Sequence, residues 1–339
     1  MTAAAVALLA LALALAGPAT ARAQKVVTIG SNPPGSVFHA VASGLVKLAG
    51  ETGVARATVQ PYAGSSTFLP LLESGELDFG VNTALDAALS YRGPTFTVGG
   101  RNPFPHAPSM RLLMLGPRLT AAPLVRKDSP IRTMRDVRGK RVTGEYPASV
   151  STWYTIFGSL QSAGLSWSDV QVVPVPGLPE GIDALVQRRA DVSLFALNGA
   201  KVREADAAVG VRHLSLDCSP EGAGRVRAAL PGYFVHPVKR GEAAAVVEDI
   251  CAVAFHIYFT AGKGVTDDLA EALMRAMWDQ GGRLASVHPI FKDWAHDRLP
   301  SLDVAVPYHP GAVRFLRSRG LWTADMERIQ QQLLAAPRR

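Results

Sequence analysis

The sequence predicts an α/β fold of two similar lobes. Three observations carry this: strand and helix signals alternate from residue 25 onward, a strand–helix–strand pattern returns about 113 residues later, and an apolar strand-like stretch separates the two copies. Lys25–Ile29 reads as a strand, Gly30–Gly35 as a Gly/Pro/Asn/Ser loop, and Phe38, Val41, Ala42, Leu45 and Leu48 fall at helical spacing. A strand over Ala57–Pro61, a helix over Ser66–Glu73 and a strand over Asp78–Val81 follow. Pro61, Gly64, Leu72 and Asp78 recur as Pro174, Gly177, Leu185 and Asp191, 113 positions on. Upstream, Lys25, Val27 and Thr28 are matched with Lys140, Val142 and Thr143, an offset of 115; downstream, Asn82 is matched with Asn198, an offset of 116.

Residues 112–127 read as strands leading out of the first lobe and into the second, and Val211–Leu216 as a further strand. Helices are expected over Arg240–Tyr258, Thr266–Gln280 and Thr323–Leu334. A second lobe inserted into the first explains the layout: the chain crosses near 116–126 and returns near 216–236. Lobe one is then 24–117 with 220–339, lobe two 118–219, and the two crossings form a hinge over a ligand cleft.

Residues 1–23 have the form of a signal peptide. Ala3–Ala16 holds only Ala, Leu and Val, too short a run for a membrane span, and Gly17-Pro18 and Ala21-Arg22-Ala23 supply a helix end and a small-x-small cleavage pattern. Export to the periplasm is the expectation. The chain has 339 residues, 35 Lys+Arg against 28 Asp+Glu, 48% hydrophobic and 19% charged residues, which excludes intrinsic disorder. The net charge of +7 is scattered with no run of five basic residues, so no nucleic-acid surface is expected. Cys218 and Cys251 are expected as free buried thiols, because Cys251 falls in the segment expected to be helical; export would permit a disulfide between them.

Ligands of α/β sheets sit beyond the carboxyl ends of strands. The loops at that position carry Ser31, Asn32, Gly35, Ser36, Val37 and Phe38; Ser65 and Ser66; Asn82 and Thr83; Ser149, Val150, Ser151 and Thr152; and Asn198. Hydroxyls, amides and helix starts in a ring suit a small anion such as a carboxylate, held by neutral donors. Each Ser or Thr taken singly reads first as a helix cap, and the site reading rests on the loops converging on one cleft. No GxSxG, GxxxxGK, HExxH or CxxC pattern occurs, so no catalytic residue, metal or cofactor is expected; His39 and Asp86 are the only loose acid–base candidates. Asp78 and Asp191, at strand starts, read as turn or cap residues.

Several stretches resemble the TAXI-type solute-binding proteins of TRAP transporters. They are Val27-Thr28-Ile29-Gly30 with Gly35–Phe38; Gly64-Ser65-Ser66 with Leu72–Gly80; Asp128–Ile131 with Gly139–Val142; and Val306–Ala312 with Phe315, together with His288-Pro289 and Phe291-Lys292. Phe38-His39 stands where that family tends to have paired Tyr, and Asn82-Thr83-Ala84 replaces its usual Gln-Ser-Asp. The resemblance implies a two-lobe periplasmic-binding-protein-like (type II) clamshell with two crossover hinge strands. It implies a monomeric receptor that binds a small organic anion or amino acid, dicarboxylate- or glutamate-like, and delivers it to membrane permease subunits. The alternatives are the binding protein of an ABC importer, for sulfonates or thiamine precursors, and, further off, a periplasmic sensor or an enzyme on the same fold.

Overall fold

A computed structural model describes residues 26–294 and 299–335. The signal-peptide expectation for 1–23 lies outside them. Strand β1 (Val26–Ser31), helix α1 (Val37–Glu51), β2 (Arg56–Pro61), α2 (Ser65–Ser74), β3 (Phe79–Thr83) and α3 (Ala84–Arg92) build the first βαβαβ unit. The second is β5 (Arg141–Glu145), α4 (Val150–Ser162), β6 (Gln171–Val175), α5 (Leu178–Val186), β7 (Ser193–Ala196) and α6 (Ala200–Val209). In each, the first strand pairs in parallel with the second: Thr28 faces Thr58, and Arg141 faces Gln171.

The internal repeat is more regular than its sequence suggests. Asp78 Oδ2 accepts the Thr28 N–H at 3.0 Å, and Asp191 Oδ2 accepts the Arg141 N–H at 3.0 Å. Thr28 therefore matches Arg141, and the offset is 113 from the first strand to the third, where Ile29 faces Phe79 and Val142 faces Val192; the drift to 115 upstream is not present. The coincidence of Val-Thr in both strands produced it, since buried parallel strands draw on one narrow residue set. Both aspartates tie the start of one strand to its neighbour, the turn role expected of them. Asp191 adds a paired contact with the Arg141 guanidinium, at 2.7 and 3.1 Å, which holds its carboxyl below the usual range.

Two long strands join the units. β4 (Arg111–Arg126) lies against β10 (Ile250–Ala261) along most of its length, and its Ala121–Leu124 end also pairs with β7. β10 pairs through Ile250–Ala254 with β9 (Phe234–Val238) and through Ile257–Ala261 with β3. Each strand thus changes neighbours midway, and register shifts near His256–Tyr258 and Phe259–Thr260 let the ribbon bend where the partners change. The helix expected over Arg240–Tyr258 is instead a loop followed by β10. β10 is buried on both faces over nearly its whole length, so it shows no alternation, and a continuous apolar run reads equally as a buried helix.

Helix α7 (Pro220–Ala229) packs on α4, where Leu230 fills the space beside Gly158 and the Arg225 Nε donates to the Gln161 and Ser162 carbonyls at 3.0 and 3.1 Å. We therefore propose that the second lobe runs on to the start of β10 rather than ending at 219. β8 (Val211–His213) pairs with the end of β4. Helices α8 (Asp267–Gln280), α9 (Pro310–Ser318) and α10 (Ala324–Ala335) follow β10. The expectation of free thiols is overturned, because Cys218 and Cys251 form a disulfide with Cα atoms 5.6 Å apart. Once Cys251 lies on a strand edge rather than inside a helix, its side chain reaches the segment before α7.

Candidate functional site

A cavity of about 40 Å³ lies between the two lobes. Its walls come from the carboxyl ends of β1, β3 and β7, the starts of α1 and α4, and the middle of the β4/β10 ribbon. Asn32, Ser36, Val37, Phe38, Thr83, Ser151 and Thr152, all expected at the site, line it. Ser36 caps α1: its Oγ accepts the His39 N–H at 3.2 Å and donates to the Pro33 carbonyl at 2.7 Å. Thr83 caps α3 by accepting the Asp86 N–H at 3.0 Å. Both residues are caps and both line the cavity, since a capping loop at a strand end is also where a cleft meets the helix start.

The other expected residues take different places. Ser31 is buried and donates to the Asn32 carbonyl at 2.9 Å. Ser65 is buried under the cavity floor and donates to Asp86 Oδ2 at 2.5 Å. Asn82 Nδ2 donates to Thr260 Oγ1 at 2.7 Å. Ser149 shares a 3.1 Å hydrogen bond with Thr152, and Val150 is buried beside it at the start of α4. Gly35 and Ser66 make contacts between the lobes: the Gly35 carbonyl accepts the Ala200 N–H at 3.1 Å, and Ser66 Oγ lies 2.8 and 2.7 Å from the Pro147 and Ala148 carbonyls. Asn198 does not line this cavity. It borders a separate cavity with Arg118, Thr120 and His236, because the turn closed by Gly199 N–H on the Ala196 carbonyl carries it past the end of β7.

The lobes meet closely. At Gly64, immediately before α2, an added Cβ would lie 1.7 Å from the Ala148 carbonyl oxygen and 2.4 Å from its carbon. His39 is half-buried and does not line the cavity; partial burial lowers its pKa.

Asp86 is the group whose importance the sequence hides. It is 1% exposed, and burial pushes its carboxyl up to about 6 against the opposing pull of Ser65, Thr83 and Ser151. Ser65 and Thr83 belong to the first lobe and Ser151 to the second, so the carboxylate sits at the seam. Its Oδ1 has no hydrogen-bond partner, nor does Asn32 Oδ1. The Tyr233 phenol beside Thr83 and Thr155 is raised by burial and then by the Asp86 charge. In sequence, Asp86 reads as an ordinary acid in the first turn of a helix, favourable to the dipole; nothing there reveals that it is buried. The remaining walls, Leu119, Ala121, Thr155, Leu178, Leu194, Phe195, Ala196 and Phe255, were likewise missed. Most of them belong to strands or helix interiors, and which of their side chains faces the cleft depends on how the lobes dock.

Among the described residues no cluster of His, Cys, Asp and Glu could hold a metal ion, and no helix is long and apolar enough to cross a membrane. What the arrangement can do chemically is enclose a small solute between two helix starts and exclude water from it.

No curated protein matches the chain. A solved structure described as that of a periplasmic transporter is similar at a TM-score of 0.55 and 11% identity, over 94% of this chain and 99% of that one. The alkanesulfonate-binding protein SsuA from Xanthomonas axonopodis pv. citri, bound to MOPS, is similar at 0.49 and 15%, over 92% and 84%. A putative L-cystine ABC transporter from Listeria monocytogenes is similar at 0.46 and 13%, over 81% and 98%. The model of the NMT1-like family matches residues 29–320. That match runs from the first strand to just beyond α9, and the chain, with its two-lobe α/β fold of the periplasmic-binding-protein type II, belongs to the NMT1-like family.

Proposed function

We propose that this chain is an extracytoplasmic solute receptor, which closes its two lobes on one small molecule and hands it to a membrane permease without making or breaking a bond. The observation that carries the reading is the cavity between the lobes, walled by the helix starts of α1 and α4 and spanned by two continuous strands that serve as the hinge. Closure takes the solute out of water, where each hydrogen bond to it is stronger. Small-angle scattering tests this: the chain compacts when a solute found by thermal-shift screening is added, and identical curves with and without that solute overturn it.

The contacts across the seam give a second check. Ser66→Ala removes the hydroxyl that meets the Pro147 and Ala148 carbonyls. Affinity in calorimetry is expected to fall by about 2- to 10-fold, the worth of one exposed hydrogen bond present only in the closed form, while the melting point without solute barely moves.

The class of permease is a finer step. The match to the NMT1-like family supports the receptor of an ABC importer better than that of a TRAP transporter, which only the TAXI-like motifs of the sequence favour. Uptake by vesicles carrying the partner permease separates them, since an ABC importer requires internal ATP and a TRAP transporter an ion gradient.

A further inference from the structure

The polarity of the cleft can be read from where its protons are already committed. Ser36 donates to the Pro33 carbonyl at 2.7 Å and Thr155 to the Ser151 carbonyl at 2.8 Å. Ser65 donates to Asp86, and Ser151 faces the same carboxylate from the second lobe. A hydroxyl has one proton and two lone pairs, so Ser36 and Thr155 on the wall have a lone pair to offer a solute and no proton. Asn32 Oδ1 on the cavity wall and Asp86 Oδ1 behind Ser151 are buried acceptors with no partner. A buried acceptor left unmade is costly, and a solute that donates to it removes the cost.

Donors come from the backbone. The first-turn N–H groups of α1 and α4 have no partner inside their helices, and Val37, Phe38 and Ser151, in those turns, line the cavity. Among the described residues no Lys, Arg or His lines it, and Asp86 is buried against Ser151, one of its walls. The rest of the wall is apolar: Leu119, Leu178, Leu194, Phe195 and Phe255 with Phe38.

We infer that the solute is a small amino-carboxylate with an apolar remainder, its carboxylate at the two helix starts and its protonated amine facing Asn32 and Ser151, with Asp86 as the positioning residue that turns the Ser151 hydroxyl and supplies the counter-charge. This rests on the receptor reading and narrows it: a dicarboxylate brings a second negative charge to a wall that has no cation and one buried carboxylate. An anion held by neutral donors alone leaves the acceptor of Asn32 unmet.

The groups that face Asp86 are Ser65 from α2, Thr83 from the end of β3, Ser151 and Tyr154 from α4, and Tyr233 from the segment before β9; Arg101 is the cation beside Tyr154. Both tyrosines are raised by burial and stay neutral. Asp86, pushed up to about 6, is the group that titrates between pH 5 and 7.

Calorimetry with four probes tests the inference: L-valine, isovalerate (the same carbon frame without the amine), isobutylamine (without the carboxylate) and 2-oxoglutarate. L-valine is expected to bind about 10- to 100-fold more tightly than isovalerate, as befits a charge-assisted hydrogen bond out of water. Its affinity should rise from pH 5 to pH 7 as Asp86 ionises. Asp86→Asn should bring valine and isovalerate within about threefold and flatten the pH profile, a change that loss of structure alone does not produce. Should that variant fold poorly, Ser151→Ala, which alters only the wall, is expected to narrow the same ratio. Isovalerate or 2-oxoglutarate binding as tightly as valine overturns the inference while the receptor reading stands. If neither valine nor isobutylamine binds, the inference also falls, and the scattering experiment above then decides the receptor reading separately.

Discussion

Gly64→Ala is expected to abolish high-affinity solute binding while leaving each lobe folded. The new methyl would stand 1.7 Å from the Ala148 carbonyl oxygen, where a carbon–oxygen contact needs about 3.2 Å. The obstacle is backbone on the opposite lobe, which cannot swing aside as a side chain can. Gly64 itself has φ 175, extended backbone open to any residue, so the substitution brings no local strain. The overlap is relieved by parting the lobes along the hinge, and a receptor held open loses the contacts that only the closed form makes. Affinity should drop by about 100-fold or more, since a closed state disfavoured by a few kcal/mol reduces apparent affinity in proportion to its population. Gly75→Ala at the other end of α2 is the control. There φ is 84 and no atom lies within 4 Å of the new Cβ, so the variant should lose about 1 kcal/mol of stability and keep its affinity. Wild-type affinity and wild-type compaction in Gly64→Ala would show that these lobes do not need this contact to close on a solute.

The same region explains how much of the molecule could be read in advance. The two βαβαβ units follow from periodicity, because their elements are amphipathic or bounded by Gly, Pro and Asn turns. Asp78 and Asp191 were matched correctly because a polar residue at a strand start is rare enough to stand out; Thr28 and Arg141, their partners, share no chemistry and were aligned wrongly. β10 was mistaken for a helix because it is buried on both faces, so nothing alternates along it. At the cleft, the readable residues are those at strand ends and helix starts, Asn32, Ser36, Thr83 and Ser151 among them. Asp86 was visible only as a loose acid–base candidate. Its burial is created by docking: Ser151, which arrives from the second lobe, helps to cover it, and no spacing within one lobe encodes that. The sequence counts the hydroxyls as donors; in the structure Ser36 gives its proton to the Pro33 carbonyl and Ser65 gives its own to Asp86.

Removing the disulfide should destabilise the chain by about 4 kcal/mol without changing how it binds. Cys218 and Cys251 are 33 positions apart, and a cross-link over a loop of that length restricts the unfolded chain by roughly this amount. The folded state has little need of the bond to keep its shape. The Leu216 N–H already donates to the Cys251 carbonyl at 2.8 Å and the Cys251 N–H to Ser215 Oγ at 2.9 Å, while Asp217 is tied to Arg225 at 3.1 Å. The bond also joins the segment before α7 to the Ile250–Ala254 half of β10, which pairs with β9; it does not span the seam between the lobes. The variant carrying Cys218→Ala and Cys251→Ala should thus melt roughly 5–10 °C lower, bind solute as the wild type does, and be indifferent to reductant, whereas reduced wild type should melt with the variant. A lowered affinity in the variant would mean that the bond helps to set the hinge; an unchanged melting point after verified reduction would mean that the native contacts around Cys251 restrain the chain without it.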